Sequence, residues 1–238
     1  DQVRAAVLDH LPPDEQRRHH RALAETLTAR ARPDAHALHL HWLGAGERAR
    51  AGEAACRAAG EADALLAFDR AAQLWQRAVE LADGDDERRL RLGHVGEAFA
   101  NAGRPREAIE AYRAAAALER GDRRLELERR AAELLLRIGE VDEGVALLRR
   151  VLAAIGMRYP SSPRQAQLAL LFERARLRLR GLRFKERPAA ALDGDARMRI
   201  DTAFAAGETL STVDFLRGAD FQTRGLLWAL AAGEPYRV

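Results

Sequence analysis

Apolar residues recur along this chain with the period of an α-helix, and polar residues fill the positions between them. Apolar positions recur every three or four residues, which places them on one face of a helix. The pattern predicts helices at 1–11, 14–31, 34–47, 163–180, 196–208 and 211–232, with a repeated helical pattern from 47 to 156. Alanine, leucine, arginine and glutamate are good helix formers, whereas β-branched residues are scarce. The sequence therefore predicts an all-α protein.

A pattern of small and large residues around residues 95–115 returns elsewhere in the chain. Its members are Gly96, Phe99, Gly103, Ala108, Tyr112 and Ala115. Gly103 and Tyr112 correspond to Gly139 and Leu148, 36 residues onward, and Tyr112 corresponds to Trp75, 37 residues earlier. The pattern resembles the tetratricopeptide repeat, in which small residues permit close crossing of two antiparallel helices and large residues fill the gap. We expect these residues to pack and turn helices rather than to bind phosphate.

The repeat phase divides the chain into three segments. Residues 1–45 form helices out of phase with the repeats, residues 47–156 form tetratricopeptide-like repeats, and residues 157–238 form a further helical-repeat segment after the turn "GMRYPSSPRQ". A single two-helix repeat cannot bury its apolar face, so about three or more must stack, and stacked repeats form a superhelix with a concave surface. The expected fold is a superhelical solenoid of antiparallel helix hairpins.

Exposed polar residues on the first helix of each pair are expected to line the concave surface. They are Arg89, His94 and Asn101 in the middle repeat, and Arg129, Glu133 and Arg137 in the next. A protein, or another domain of the same chain, is the expected partner for this surface.

The stretch "RARLRLRGLRFKER" at 174–187 holds seven basic residues and one acidic residue. The residues that could bind phosphates or an acidic partner are Arg174, Arg178, Arg180 and Arg183. The same helix carries an apolar stripe of Leu168, Leu171, Phe172, Ala175, Leu179 and Leu182. Because the arginines flank this stripe on several sides, we interpret them as a solvated face that covers apolar surface or forms ion pairs within the chain. An acidic protein partner is the first alternative and a nucleic acid is the second.

Composition narrows the classes of function. The 39 basic and 36 acidic residues nearly balance, so the net charge of +3 does not by itself indicate a nucleic-acid surface. Cys56 is the only cysteine, which excludes an internal disulfide and a multi-cysteine zinc site. No apolar run approaches the roughly 20 residues needed to cross a bilayer, and no signal peptide is recognisable. We therefore expect a cytoplasmic protein.

The sequence holds no clear motif for catalysis, nucleotide binding or metal binding. "GAGERA" at 44–49 lacks the lysine and the preceding strand of a phosphate loop, and kinase signatures are absent. We interpret His36, His39 and His41 as structural or surface residues, since no acidic residue completes a metal site on their helix face. A set at helical spacing is expected to form salt bridges on a helix surface: Asp214, Arg217, Asp220 and Arg224. We expect no catalytic residue, cofactor or metal here.

Three stretches, 39–81, 151–184 and 199–238, resemble one group of bacterial regulators. They are similar to multidomain serine/threonine protein kinases that carry a signal-transduction ATPase of the AAA/STAND type followed by tetratricopeptide-like repeats. The resemblance implies a kinase domain and an ATPase/winged-helix module on the N-terminal side of residue 1. The lack of an initiator methionine and the end at "GEPYRV" lead us to expect a segment of a longer protein.

The expected function is that of a non-catalytic scaffold or sensor. It would bind a protein or signal ligand and regulate the kinase and ATPase domains that the resemblance implies. The alternative is a stand-alone adaptor for protein–protein interaction, and a third hypothesis is nucleic-acid binding through residues 174–187.

Overall fold

The computed structural model describes residues 11–188 and 192–237, and the regular structure within these ranges is α-helical, without a strand. The helices are α1 (Pro13–Thr28), α2 (Ala35–Gly44), α3 (Arg48–Ala64), α4 (Phe68–Glu80), α5 (Asp85–Asn101), α6 (Pro105–Leu118), α7 (Gly121–Arg137), α8 (Val141–Ala154), α9 (Pro163–Arg180), α10 (Gly194–Ser211) and α11 (Phe215–Ala232). The helix predicted at 1–11 lies almost wholly outside the described residues. No described helix is both long and apolar enough to span a membrane.

The chain divides into two compact units, one ending at Arg120 and the other starting at Gly121. In the first unit each helix from α1 to α6 packs against the next. In the second unit α7 pairs with α8 and α10 pairs with α11, while α9 packs on α11 and α10 contacts α7. The prediction of an all-α fold built from consecutive helix hairpins is confirmed. The division between the units falls inside the segment 47–156.

A shared turn geometry ends the first helix of several hairpins. At Gly103 and Gly139 the backbone has φ of 72° and 86°, and the N–H of the following residue donates to the carbonyl five residues earlier, at 2.9 Å in both turns. This is the Schellman arrangement, which needs a left-handed residue after the helix. Leu66 holds the same place after α3, with φ of 58°, and the N–H of Ala67 donates to the Ala62 carbonyl at 2.9 Å. The same turn therefore recurs at this place of the repeat even where glycine is missing.

A glycine permits a close helix crossing in the first unit. A Cβ atom on Gly96 of α5 would lie 2.5 Å from Cδ1 of Tyr112 on α6, so only glycine fits beneath that ring. The remaining members of the pattern in this hairpin, Phe99, Ala108 and Ala115, are all buried. In the second unit Leu148 of α8 is buried against α7.

The segment between α8 and α9 is fixed by two arginines of α11. Arg217 donates to the Pro160 carbonyl and Arg224 to the Arg158 carbonyl, each at 2.8 Å. Helix α9 then begins at Pro163, where the Ser162 hydroxyl accepts the N–H of Gln165. Proline at the first helical position and serine before it are both strong start signals. The turn predicted from "GMRYPSSPRQ" is therefore a defined, anchored connection.

Candidate binding surfaces

The three candidate residues of α5 lie apart from a groove of the first unit. That groove, of about 620 Å³, has an apolar floor that includes Val95 and Phe99, and polar side chains of α4 and α6 form its rim. Arg89, His94 and Asn101 are not among its lining residues. The side chain of Asn101, at the end of α5, is exposed.

Arg89 and His94 are both engaged with neighbouring side chains. Arg89 forms ion pairs with Asp86 and Glu119 at 3.5 and 3.6 Å. The imidazole of His94 stacks on the indole of Trp75, with ring centroids 4.4 Å apart, and the Trp75 Nε1–H donates to Asp63 at 2.8 Å. Trp75 and His94 therefore join α4 to α5. The stacking partner of His94 was not recognised from the sequence, although the repeat phase gives Trp75 the position of Tyr112.

The three candidate residues of α7 line one cavity in the second unit. Arg129, Glu133 and Arg137 face α10 across a space of about 430 Å³, and the opposite wall includes Glu208 and Thr209. Spacing on α7 predicted that the three side chains share a face, but the α10 half of the wall comes from a distant part of the chain. The cavity is thus lined by residues that can bind both a cation and an anion.

Arg129 is the fixed charge at this wall. It forms ion pairs with Glu126 and Glu133, and Glu126 also pairs with Arg130. Burial opposes ionisation of Glu126, but the hydrogen bonds and charges of Arg129 and Arg130 outweigh it and hold the pKa of Glu126 below its ordinary value. At Glu133 burial dominates and raises the pKa of the carboxyl, against the opposing charge of Arg129. Glu133 therefore takes up a proton more readily than an ordinary glutamate.

Two charged side chains at the cavity are exposed and unpaired among the described residues. The guanidinium of Arg137 and the carboxylate of Glu208 are exposed, and neither forms an ion pair or hydrogen bond with a side chain in the part of the chain that the structure describes. The Thr209 hydroxyl donates to the Ala205 carbonyl, which leaves its oxygen able to accept. The arrangement suits a polar ligand that carries both signs of charge, such as a peptide segment.

The arginine-rich helix α9 divides its cations into two groups. Arg176 pairs with Glu173 at 2.8 Å, and Arg180 donates to the Leu230 carbonyl of α11 at 2.8 Å and to nearby carbonyls at the helix end. The side chains of the candidates Arg174 and Arg178, and of Arg183 just beyond the helix end, form no hydrogen bond or ion pair with the described residues. The ion pairs expected within the chain thus account for part of the cluster.

The salt bridges expected on the surface of α11 are formed, but one of them is buried. Arg217 pairs with Asp214, and Arg224 pairs with Asp220 at 2.6 Å. The Asp220 side chain is inaccessible to solvent, so the expectation of an exposed pair is wrong for this residue. Burial raises the pKa of Asp220, against the opposing charge and hydrogen bond of Arg224. The pair anchors the Arg158 carbonyl and belongs to the core of the second unit.

His39 and His41 of α2 contact the neighbouring helices. His39 is buried with Nδ1 at 3.0 Å from the Ala51 carbonyl, and His41 Nδ1 lies 3.0 Å from His20 Nδ1 of α1. Within residues 11–188 and 192–237, no group of three or more His, Cys, Asp and Glu side chains is arranged to hold a metal ion.

Comparison with known proteins does not assign the chain to a family. No protein-family model matches it, and no curated protein sequence matches it.

Proposed function

We propose that this chain is a non-catalytic helical-repeat module that binds a peptide segment or signal ligand in the polar cavity between α7 and α10. The observation that supports this function is the convergence of Arg129, Glu133 and Arg137 on one cavity opposite Glu208. The repeat phase predicts the same three α7 residues as partner-binding, and the cavity that they line has the size of a peptide side chain or small ligand.

The charges of the cavity indicate how such a ligand would be held. Arg129 is fixed by Glu126 and Glu133 and needs little reordering on binding. A ligand carboxylate would pair with Arg137, and a ligand ammonium or amide group would contact Glu208. Charge-assisted hydrogen bonds of this kind are about twice as strong as neutral ones. Preorganisation of the wall reduces the entropy that binding costs.

The resemblance to bacterial kinase–ATPase regulators supports a regulatory role for this binding. In that setting, occupancy of the cavity would shift attached kinase and ATPase domains, expected to be cytoplasmic, between two states. A ligand changes such an equilibrium only by as much as its affinities for the two states differ. A stand-alone adaptor would use the same cavity without attached catalytic domains.

A peptide selection tests the binding function. Peptides selected from a displayed random library on the wild-type chain are expected to lose about tenfold or more in affinity on Arg137→Gln or Glu208→Gln, since one charged contact contributes about 1.4 kcal/mol or more. Arg150→Gln is the matched control, because Arg150 is an exposed residue of α8 that does not line the cavity. Failure to select any peptide, or equal affinity for all variants, would contradict the proposal.

The regulatory role needs a separate measurement. Nucleotide hydrolysis and phosphorylation are compared in the intact protein, with and without Arg137→Gln and with the selected peptide added. The peptide is expected to change either activity in the wild type and not in the variant. Unchanged activities, with peptide binding retained, would favour the adaptor.

A further inference from the structure

Helix α9 has two apolar faces, and only one of them is covered. Ala166 and Leu170 lie on the side packed against α11, where Ala166 is fully buried and Leu170 is half-buried. The stripe on the other side is exposed to the extent of 60–90% of each large side chain: Leu168, Leu171, Phe172, Leu179 and Leu182. At roughly 100° per residue the two sets are centred on opposite sides of the helix axis. Contiguous exposed apolar surface of this kind marks interaction sites in soluble proteins.

The exposed stripe has the spacing of a helix–helix seam. Leu168, Leu171 and Ala175 follow intervals of three and four residues, the pattern that packs against a second helix, and Leu182 lies just beyond the helix end. Leu171, Ala175, Leu177 and Leu182 line a groove of about 720 Å³. The small side chain of Ala175 leaves room beside Leu171 for a large apolar residue of a partner.

Free positive charge forms part of this groove. Arg174 and Arg178, one helical turn apart, line the groove together with its apolar residues, and their side chains have no partner among the residues described. Arg176 and Arg180 do not line it, since Arg176 is paired with Glu173 and Arg180 is bound to backbone carbonyls. The groove therefore combines apolar side chains with two free arginines.

We propose that this face of α9 docks an acidic amphipathic helix of a partner protein. The apolar stripe of the partner helix fills the groove over Ala175, and carboxylates spaced three or four residues apart pair with Arg174 and Arg178. Docking of an amphipathic helix into an apolar groove is a common mode of peptide recognition. The surface shares no lining residue with the cavity between α7 and α10, so this interaction does not depend on the function proposed above.

Charge favours an acidic helix over a second copy of this chain. A second α9 would bring Arg174 and Arg178 close to the same two arginines, and like charges across an interface oppose association. The one carboxylate on α9, that of Glu173, is already paired with Arg176. A partner with its own acidic edge removes this repulsion and leaves neither arginine unpaired.

Two designed helical peptides test the proposal. Both carry leucines at heptad spacing; one has glutamates beside the leucines and the other has lysines at the same places. Fluorescence anisotropy with the whole chain is expected to show binding of the glutamate peptide at least about tenfold tighter than the lysine peptide, weakening as salt is raised. Leu171→Asp is expected to abolish binding, and Arg174→Glu combined with Arg178→Glu to reverse the preference. Arg150→Glu should leave both affinities unchanged.

Folding and the other possible occupants are checked in the same series. The substituted residues are exposed, so circular dichroism of each variant should match the wild type. Absence of binding by the glutamate peptide, or equal binding of both peptides, overturns the proposal. Concentration-dependent self-association lost in Leu171→Asp would instead assign the face to a second copy. Binding to vesicles of phosphatidylcholine and phosphatidylserine, or to duplex DNA, without peptide binding would likewise overturn it. Arg137→Gln is expected to change none of these results.

Discussion

Replacing Gly96 with alanine tests whether the close crossing of α5 and α6 depends on a missing side chain. The new Cβ would lie 2.5 and 2.6 Å from Cδ1 and Cε1 of Tyr112. Ordinary contacts between carbon atoms are about 3.5–4.0 Å, so the ring or the helix must move by roughly 1 Å. The Tyr112 ring is itself buried, which leaves it little space to move away.

Gly60 provides a matched control for this substitution. It lies on the exposed side of α3, and a Cβ atom there would have no neighbour within 4 Å. Alanine in a helix interior is more favourable than glycine by roughly 0.5–1 kcal/mol, because glycine loses more backbone freedom on folding. Gly60→Ala is therefore expected to raise the free energy of unfolding by about that amount.

The difference between the two variants isolates the cost of overpacking. Inserting a methyl group into a tightly packed crossing costs about 1–3 kcal/mol. The gain in helix propensity is common to both substitutions, so Gly96→Ala should be less stable than Gly60→Ala by about 1–3 kcal/mol. In a Tyr112→Ala background the ring is absent, and Gly96→Ala should there become stabilising, a coupling that a double-mutant cycle measures directly.

Urea unfolding followed by far-ultraviolet circular dichroism measures these differences. Five proteins are compared at one protein concentration: the wild type, Gly96→Ala, Gly60→Ala, Tyr112→Ala, and the double variant with Gly96→Ala and Tyr112→Ala. Equal stability of Gly96→Ala and Gly60→Ala would refute the reasoning, since it would mean that the Tyr112 ring relaxes without cost. A loss that persists in the Tyr112→Ala background would place the strain elsewhere in the hairpin.

Two further substitutions test the turn after α3 and the buried pair of α11. Leu66→Gly should raise the free energy of unfolding by about 0.5–1 kcal/mol, because its left-handed backbone is costly for leucine and its side chain is 72% exposed; no gain in urea midpoint would contradict this. Arg224→Met should cost about 3–5 kcal/mol near pH 8, because it leaves the Asp220 carboxylate buried and unpaired. Burial raises the pKa of Asp220 in the native state, and the variant loses the Arg224 charge that opposes this rise, so the deficit against wild type should shrink as the pH falls and the carboxyl takes up a proton. A deficit independent of pH in urea unfolding would show that Asp220 keeps its charge without Arg224.

The hairpin of α5 and α6 was predictable because its rules are local. A small residue four positions before a large one specifies a face, and Gly103 specifies a turn within a few residues of the helix end. The α10 wall of the polar cavity was not predictable in this way. Glu208 lies more than 70 residues from Glu133 in sequence, and no local pattern pairs them. The burial of Asp220 was not predicted for a related reason. Spacing shows which residues share a face of α11, but not that α11 packs against both α9 and α10.

The orientation of α9 shows how two distant contacts decide between faces that sequence alone does not distinguish. Its leucine stripe is more hydrophobic than the side that is buried, yet the stripe points outward. Both ends of the helix are attached to α11 by arginine side chains bound to backbone carbonyls: Arg224 and Arg217 hold the segment before α9, and Arg180 reaches Leu230 after it. With both ends held, the side of the buried Ala166 faces α11. Turning the larger apolar stripe towards α11 would carry Arg180 away from the Leu230 carbonyl, so the stripe stays exposed.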